Sequence, residues 1–380
     1  MRLTLFALAP VLATALVLVT GGPRAGVAQE VRATAAGAVE IVPVVTGLDV
    51  PWAIGFLPGG EMLITERDGA LLHIAADGAR QRVAGVPDVA ADGQGGLLDV
   101  LVPRDFSQTR EIYLTFSRPQ GRHAGTALAR GILSRDGARL TEVETLWEME
   151  RGSSGGRHFG SRVVEGRDGL LYVTTGDRGD RPSAQDLGNE NGSVIRLTRA
   201  GQVPASNPFV GQEGAQPEIY TYGHRNPQGA ALDGQGKLWT VEHGARGGDE
   251  INLIEAGTNY GWPVISYGRH YSGFRIGEGT AAPGMAQPKH YWDPSIAPSG
   301  MTFVGDTMFA EWDGDILVGS LNSDLISRLE VRGTRVREVE RISTPETLRI
   351  RDVRVGPDGA VWFLSEGNGA LYRMRVATGG

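Results

Sequence analysis

The amino-acid sequence predicts an all-β chain folded as one six-bladed β-propeller of four-stranded antiparallel blades. Three observations support this prediction. A unit of short alternating strands occurs six times along the chain. Asp-Gly or Pro-Gly-Gly turns, which are strong hairpin signals, separate the first and second strands of five of these units. With 56 glycines, 20 prolines and no collagen period, the composition suits many tight turns between short strands.

Each unit begins with an apolar segment that we predict to be the innermost strand of a blade. These segments are Trp52–Leu57, Gly96–Val102, Ser161–Glu165, Gly229–Leu232, Gly300–Val304 and Ile350–Val355. The second strands are predicted at Glu61–Thr65, Glu111–Phe116, Leu170–Thr175, Lys237–Glu242, Asp315–Ser320 and Ala360–Ser365. The third strands are predicted at Ala70–Ile74, Ala127–Leu133, Ser193–Leu197, Glu250–Ile254, Leu325–Val331 and Ala370–Met374.

The early segment Glu40–Val45 is predicted to supply the outer strand of the last blade and so to close the ring. Residues 39–376 give about 56 residues per unit, above the ~40–45 of a minimal propeller blade. The excess lies in two insertions, near Arg181–Tyr222 and Trp262–Pro298. Because radial repetition leaves few exposed strand edges, a propeller suits six matched units better than the alternative, a pair of β-sandwiches.

Composition and the N-terminus bear on compartment and partners. The formal net charge is −7 without a basic field, so nucleic acid is not an expected partner. Cysteine is absent, which excludes disulfides and thiolate metal sites. Arg2, the apolar run Leu3–Thr20 and the small residues Gly26–Ala28 predict a signal peptide at residues 1–28, ahead of a single propeller domain at 29–380. We expect a periplasmic or secreted protein with no membrane span in the mature chain; the alternative is an uncleaved anchor.

Polar residues precede the first strand of one blade after another. They are Gln94, Arg157-His158, His224-Arg225-Asn226, Ser295 with Ser299, and Arg349 with Arg351. In a propeller the first strands line the central channel, so the loops that enter them converge on one mouth. A concave mouth with a few convergent polar groups is a suitable place for a ligand.

Each of these residues also has an ordinary explanation. Gln94 could be a turn residue, His158 a channel histidine with satisfied hydrogen bonds, and Arg225 with Asn226 the cap of a strand entry. Arg349 and Arg351 are two positions apart and point to the same side of a strand. Two like charges there need an anion or nearby carboxylates.

Two further loops carry acidic residues. The loop 242–250 combines three glycines, which let backbone carbonyls approach a cation, with the hard oxygens of Asp249 and Glu250. It is either a calcium site or a flexible acidic loop. The run from Asp177 to Asp180 is interpreted as a solvated loop.

These segments resemble the soluble glucose and aldose sugar dehydrogenases that depend on pyrroloquinoline quinone (PQQ). The resemblance runs over essentially the whole mature chain. Its most specific stretches are Gly93–Val100, Tyr222–Gly229, Gly248–Ile254, Asn259–Pro263 and Arg349–Arg354. No single stretch decides the matter, but together and in this order they are specific.

The resemblance implies a role for individual positions of this chain. His158 resembles the general base of the family. The positions that would contact the cofactor are Gln94, Arg225, Asn226, Tyr271, Ala297, Arg349 and Arg351. The carbonyls of Gly244 and Ala245 would hold a calcium ion that bridges to the cofactor, and Glu250 and Tyr260 resemble a second, structural calcium site.

The chain also departs from the family pattern. Leu321-Asn322-Ser323 stands where the family often has a lysine, so one cation near the quinone is missing. His243, Ala245 and Asp293 replace the glutamine, proline and tryptophan of glucose-specific members. These differences favour the broader aldose group over a strict glucose enzyme.

The function that the resemblance implies is oxidation of an aldose at C1 to the lactone, with PQQ and Ca²⁺ as cofactors. The hydride would pass to the quinone, and an external electron acceptor would be a further partner. An acidic protein needs a local cationic site for the three carboxylates of PQQ, and arginines with calcium suit it. A neutral imidazole can accept the hydroxyl proton. The alternatives are a calcium-dependent propeller hydrolase such as a lactonase, and a propeller that binds a ligand without catalysis.

Overall fold

Each of the six repeats forms one antiparallel sheet in the computed structural model, which describes residues 31–377. The predicted signal peptide lies outside the described residues. The chain starts with β1 (Val31–Thr34) and β2 (Gly37–Thr46). Blade 1 follows with β3 (Pro51–Phe56), β4 (Met62–Glu66), β5 (Leu71–Ile74) and β6 (Arg80–Arg82). Blade 2 has β7 (Leu97–Leu101), β8 (Glu111–Gln120), β9 (His123–Leu133) and β10 (Leu140–Glu148).

The next three blades continue the same order. Blade 3 has β11 (Val163–Glu165), β12 (Leu171–Thr174), β13 (Val194–Leu197) and β14 (Ile219–Thr221). Blade 4 has β15 (Pro227–Leu232), β16 (Leu238–Glu242), β17 (Asp249–Leu253) and β18 (His290–Trp292). Blade 5 has β19 (Pro298–Phe303), β20 (Ile316–Ser320), β21 (Ile326–Arg332) and β22 (Arg335–Ile342).

Blade 6 is built from both ends of the chain. Its strands are β23 (Ile350–Val355), β24 (Val361–Ser365) and β25 (Ala370–Val376), and β2 pairs with β25 from Val39 opposite Val376 to Thr46 opposite Ala370. The prediction that the segment Glu40–Val45 closes the ring is therefore confirmed. The hairpin partner β1 adds a fifth strand, which the sequence analysis did not predict.

Helices are short in the described residues. They comprise α1 (Phe106–Thr109) and three 3₁₀ turns at Arg181–Gln185, Ala310–Trp312 and Pro345–Thr347. None of the helices within residues 31–377 has the length and apolar character that a membrane crossing requires.

The hydrophobic core lies between the blades. Six apolar clusters occupy the interfaces of blades 1 and 2, 2 and 3, 3 and 4, 4 and 5, 5 and 6, and 6 and 1. Second strands such as β4, β16 and β20 are therefore buried along their whole length, because a neighbouring blade covers each face. Outer strands such as β22 are mostly exposed or half-buried, with only Val336 and Ile342 buried in β22. The predicted six-bladed propeller is confirmed.

The first strands contact one another in a closed cycle, β3, β7, β11, β15, β19, β23 and back to β3, so they line the channel. Two aspartates and two arginines bridge its interior. Arg162 contacts Asp99 at 2.9 Å and Asp352 at 3.2 Å, and Arg354 contacts each of the two aspartates at 3.0 Å. We call these four residues the channel cluster. The mouth described next lies where the chain enters the same first strands.

Candidate active site

Polar residues that precede the first strands of blades 2, 3, 4 and 5 line two adjoining cavities at one mouth, whereas Arg349 and Arg351 line neither cavity. Gln94, His158, Asp177 and Arg225 line a cavity of about 380 Å³. An adjoining cavity of about 860 Å³ is lined by residues that include His243, Gly244, Ala245 and Ala297. Tyr271 lines both cavities, although 71% of its surface is exposed.

Three of the residues that precede first strands have left-handed backbone conformations. The φ angles are 56° at His158, 49° at Ala297 and 48° at Arg349. Such conformations cost roughly 1–3 kcal/mol in residues other than glycine and concentrate at functional sites. A regular strand entry would not need them, so the mouth holds these residues against local backbone preference.

His158 is held by a buried carboxylate. Its Nδ1 lies 2.6 Å from Oδ1 of Asp177, whose side chain is fully buried. The other oxygen of Asp177 accepts a hydrogen bond of 2.8 Å from the indole N–H of Trp262. Gly176 allows this approach, because a Cβ at that position would overlap the carbonyl oxygen of His158. The backbone N–H of His158 donates to Oε1 of Gln94 at 2.7 Å.

The ionisation states of this pair follow from their surroundings. Burial lowers the pKa of His158, and the nearby Arg225 lowers it further, against the opposing effect of Asp177. Burial alone would raise the pKa of Asp177, but hydrogen bonds from His158 and from the Gly179 amide outweigh it and lower that pKa. Asp177 is therefore ionised and accepts a hydrogen bond from the protonated Nδ1 of His158. Neutral His158 keeps its lone pair on Nε2, the arrangement that a general base requires.

Arg225 and Asn226 have buried groups without partners in the described structure. Arg225 donates through its guanidinium to the carbonyls of His243 and Gly244, but its Nε has no partner. Asn226 accepts a 3.0 Å hydrogen bond from the Gly160 amide, while its Nδ2 has none. Burial lowers the pKa of Arg225, although Asp177 and Tyr271 partly offset this effect. These donors point to a ligand that carries oxygen atoms.

Arg349 and Arg351 share one carboxylate. Arg349 donates to Oε1 of Glu366 at 2.8 Å, and Arg351 donates to Oε2 at 2.9 Å. Arg351 also reaches the side-chain oxygen of Gln228 at 3.1 Å and is buried, whereas the Arg349 side chain is 46% exposed. The prediction that two arginines need an anion or a carboxylate is thus met by Glu366. One carboxylate for two cations leaves a single positive charge in excess.

His243 links these groups. Burial lowers its pKa to about 3, and the positive charges of Arg225 and Arg351, with that of His158 when it is protonated, lower it further. Its Nε2 is buried and lacks a hydrogen-bond partner among the described residues. Residues that precede or begin the first strands of blades 3, 4 and 6 are therefore close enough to His243 to affect its ionisation.

The loop that was predicted to hold calcium is fixed by Asp249. Its Oδ1 accepts from the Gly244 amide at 2.8 Å, and its Oδ2 accepts from Ser295 Oγ and from the amides of Ile296 and Ala297 at 2.7 to 3.0 Å. Asp249 is therefore not a free oxygen ligand, contrary to the sequence-based expectation. No cluster of three or more His, Asp or Glu side chains able to hold a metal occurs within residues 31–377, so a cation at this loop would depend on carbonyls.

Glu250 and Tyr260 share no hydrogen bond in the described part of the chain. Tyr260 donates to the Leu253 carbonyl at 2.5 Å and stacks on His224 at 4.5 Å. His224 bonds to Glu242 at 2.8 Å, and Asn252 donates to both Glu242 and Glu250. Burial, together with the charge of Glu242, raises the pKa of Glu250 to about 8.

A comparison of the sequence with known families decides which family this fold and site represent. Residues 48–373 match the family model for glucose/sorbosone dehydrogenase. The chain belongs to the glucose/sorbosone dehydrogenase family. Membership of this family makes it an enzyme, a sugar dehydrogenase.

Relatives of this dehydrogenase agree with the assignment. It is 44% identical over 335 residues to the aldose sugar dehydrogenase YliI of Escherichia coli, covering 86% of this chain and 90% of that protein. The apo crystal structure of the soluble E. coli aldose sugar dehydrogenase superposes with a TM-score of 0.87 at 41% identity, covering 89% and 100% of the two chains. A PQQ-bound aldose sugar dehydrogenase from Streptomyces coelicolor superposes with a TM-score of 0.75 at 26% identity, covering 91% and 100%.

The departures from the family pattern lie at the larger cavity of this dehydrogenase. Asn322, at the position of the frequent lysine, lines that cavity and donates to the Ser295 carbonyl at 3.3 Å. Asp293 lines it as well. The amide of Ala297 donates to Oδ2 of Asp249, as described above, and its carbonyl accepts from the Leu321 amide.

Sequence reasoning missed several residues of this mouth. The run from Asp177 to Asp180 was expected to be solvated, which is wrong for Asp177 and Arg178, since both are buried. Trp262 and Glu366 were not singled out either. Trp262 lies in the family-typical stretch Asn259–Pro263, which was a usable signal. Glu366 follows β24 without any local pattern, so only the pairing of β24 with β23 places it beside the two arginines.

Proposed function

We propose that this dehydrogenase oxidises aldose sugars at C1 to the lactone, with PQQ and Ca²⁺ bound at the mouth. The observation that carries the proposal is the His158–Asp177 pair, placed beside partly unpartnered buried donors. The PQQ-bound relative supports the choice of cofactor. When bound, PQQ supplies the acceptor for the hydride that leaves C1, and calcium supplies positive charge beside the quinone oxygen.

The residues of the mouth fit an anionic, oxygen-rich group. Arg225 Nε and Asn226 Nδ2 are buried donors without partners in the described structure. The two positive charges of Arg349 and Arg351 are only half neutralised by the one carboxylate of Glu366. Charge-assisted hydrogen bonds from arginine suit carboxylates well. Gln94 and Ala297 would contact the cofactor at the rim, and Tyr271 would cover it.

The proposal also includes two calcium sites. The carbonyls of Gly244 and Ala245 would hold one ion at the loop that Asp249 clamps. The Gly244 carbonyl accepts a hydrogen bond from Arg225, and its second lone pair remains for a cation. Glu250, with the buried unpartnered Oδ1 of Asn252 nearby, would contribute to a second ion beside Tyr260. A cation there would relieve the repulsion that raises the pKa of Glu250.

His158 would act as the general base. The neutral Nε2 takes the proton of the sugar C1 hydroxyl while Asp177 keeps Nδ1 protonated and the ring oriented. As the proton arrives, the adjacent buried carboxylate stabilises the positive imidazolium. Trp262 and the Gly179 amide keep Asp177 in place by occupying its oxygens.

The experiment that tests the proposal is reconstitution of purified apo-protein with PQQ and calcium, followed by dye reduction with a panel of aldoses. We expect turnover only when both cofactors are present, and its loss in chelator. Turnover without added quinone, or hydrolysis of lactones without dye reduction, would contradict it. We also propose export to the periplasm or outside the cell; N-terminal sequencing of the mature protein should then not begin at Met1.

A further inference from the structure

Three arginines lie side by side on neighbouring loop segments, and two of them, Arg246 and Arg269, line the larger mouth cavity. Arg246 pairs with Arg269, and Arg269 pairs with Arg275, through antiparallel bridges. The backbones of Arg246 and Arg269 exchange hydrogen bonds of 2.9 and 3.1 Å, and the His270 amide donates to the Phe274 carbonyl at 2.8 Å. Directly opposite residues of an antiparallel ladder project to the same face. The three side chains therefore share one face, and we call them the arginine ladder.

The arginine ladder has no acidic partner. All three residues are exposed, and none of them takes part in a salt bridge or side-chain hydrogen bond within residues 31–377. Like charges placed directly opposite each other destabilise a ladder. Several other arginines of the described residues have acidic partners: Arg349 and Arg351 share Glu366, and Arg199 contacts both Asp105 and Glu111. An unpaired cationic row on a protein of net charge −7 indicates recognition of an anion.

The position of the ladder ties that anion to the reaction. Arg246 and Arg269 line the cavity of about 860 Å³, and Tyr271 joins this cavity to the one that contains His158. Asp293 lines the same cavity and offsets only one of the two charges. Tyr271 and Phe274, 71% and 76% exposed, lie on the loop between Arg269 and Arg275 and offer apolar surface to a sugar ring.

We infer that the arginine ladder selects acidic aldoses, meaning uronic acids and reducing oligosaccharides that contain a uronate. This inference rests on the proposed function. The C1 end would reach His158 while a carboxylate farther along the sugar binds the ladder. The chemistry at C1 would be that of the proposed function: the C–H bond would give up its hydride to PQQ as the oxidant, the hydroxyl proton would go to His158, and C1 would become the lactone carbonyl. The sugar carboxylate takes no part in that step.

The test compares sugars that differ only in the acidic group. D-Galacturonate and D-galactose have the same ring, with a carboxylate or a hydroxymethyl at C6. In reconstituted wild-type enzyme with an uncharged dye, kcat/KM should be higher for galacturonate, and salt should reduce the difference because it screens exposed charges. In the Arg246→Gln/Arg269→Gln double variant the galacturonate-to-galactose ratio of kcat/KM should fall about tenfold, the size of one charge-assisted hydrogen bond.

A matched control and a binding measurement complete the experiment. Arg135→Gln removes another exposed arginine, in the turn between β9 and β10 away from the mouth, and should leave the ratio unchanged. Calorimetric titration should show that digalacturonate binds the double variant more weakly than it binds the wild-type protein. This measurement does not depend on turnover. If no aldose is oxidised, the proposed function is contradicted. The titration still shows whether the arginine ladder binds a uronate.

Two results would overturn the inference. One is a double variant that keeps the wild-type ratio and the wild-type digalacturonate affinity. The other is a double variant with an unchanged ratio that transfers electrons more slowly to an acidic cytochrome, since the ladder would then be a docking surface for a protein.

Discussion

The channel cluster and the mouth are built on the same six inner strands, yet their charges are arranged in opposite ways. In the channel cluster two aspartates face two arginines, and every ion pair is 3.2 Å or shorter. At the mouth, Arg225 has an unpartnered Nε and two arginines share Glu366. The channel charges complete one another within the protein, whereas those of the mouth do not.

The pKa shifts of the arginines differ in the same way between the channel cluster and the mouth. Burial works against the charge of Arg354, but Asp352 and Asp99 outweigh it and raise its pKa. Burial lowers the pKa of Arg225 and of Arg351, and their partners do not make up the loss. A buried cation whose charge remains disfavoured gains most from an arriving anion. The comparison therefore separates charges that stabilise the fold from charges kept for a ligand.

The largest effect that would sharpen this comparison is expected at His158. His158→Gln should lower kcat by about 10²–10⁴-fold, the usual contribution of a general base, with little change in PQQ affinity or melting temperature. Turnover at saturating PQQ, with a thermal melt alongside, measures both. Asp177→Asn should lower kcat by less and alter its pH profile, because the ring loses its ionised partner. Near-normal turnover with a lower melting temperature would reject His158 as the base.

The converse effect is expected in the channel. Asp99→Asn leaves buried Arg162 and partly buried Arg354 with half of their countercharge, and breaking a buried pair costs about 3–5 kcal/mol of unfolding free energy. Denaturant unfolding of the apo-protein should show that loss, while kcat of the folded enzyme stays close to wild type. A variant that kept its stability but lost turnover would break the comparison.

A smaller effect distinguishes two arginines of the mouth. Arg225→Gln removes a buried donor and should weaken PQQ binding by about 10- to 100-fold, from the ~1.5–3 kcal/mol of a hydrogen bond to a charged group. Arg349→Gln removes a half-exposed arginine and should weaken it by less than about fivefold. PQQ titration monitored by absorbance gives both constants. Equal losses would mean that burial does not decide their roles.

The smallest effect concerns pH. Because burial and Glu242 raise the folded-state pKa of Glu250 to about 8, its contribution to stability is present below the unfolded value near 4.5 and is lost as pH rises through about 8. The melting temperature of the apo-protein should therefore fall as pH rises over that range. Added calcium should raise the melting temperature more at high pH than at low pH, because the ion binds the ionised carboxylate. Glu250→Gln should remove the calcium effect.

Glu190 is the matched control for that experiment. Burial raises its pKa to about 7, so it also loses stability with rising pH, but no calcium role is proposed for it. Glu190→Gln should reduce the slope below about pH 7 and leave the calcium effect intact. A calcium effect that survives in Glu250→Gln would remove this residue from the second site.

The propeller itself could be predicted from sequence because its signals are local. Turns such as Asp168-Gly169 and Asp358-Gly359 recur in five of the six blades and short apolar runs recur in all six, and the apolar clusters between blades follow from these runs. The polar entries could be predicted to converge because six-fold geometry carries Gln94 and Arg351 to one place. Family-typical stretches then suggested roles for individual residues.

Only the tertiary structure shows which charged side chains lie next to one another. Asp177 lies in a run that looks solvated, and it is buried because Trp262 and His158, 85 and 19 residues away, cover it. Glu366 joins Arg349 and Arg351 only through the pairing of β24 with β23, and the arginine ladder exists only because two loops meet at Arg269. A charge interacts with whatever the fold brings near it, so its role depends on contacts that no local pattern encodes.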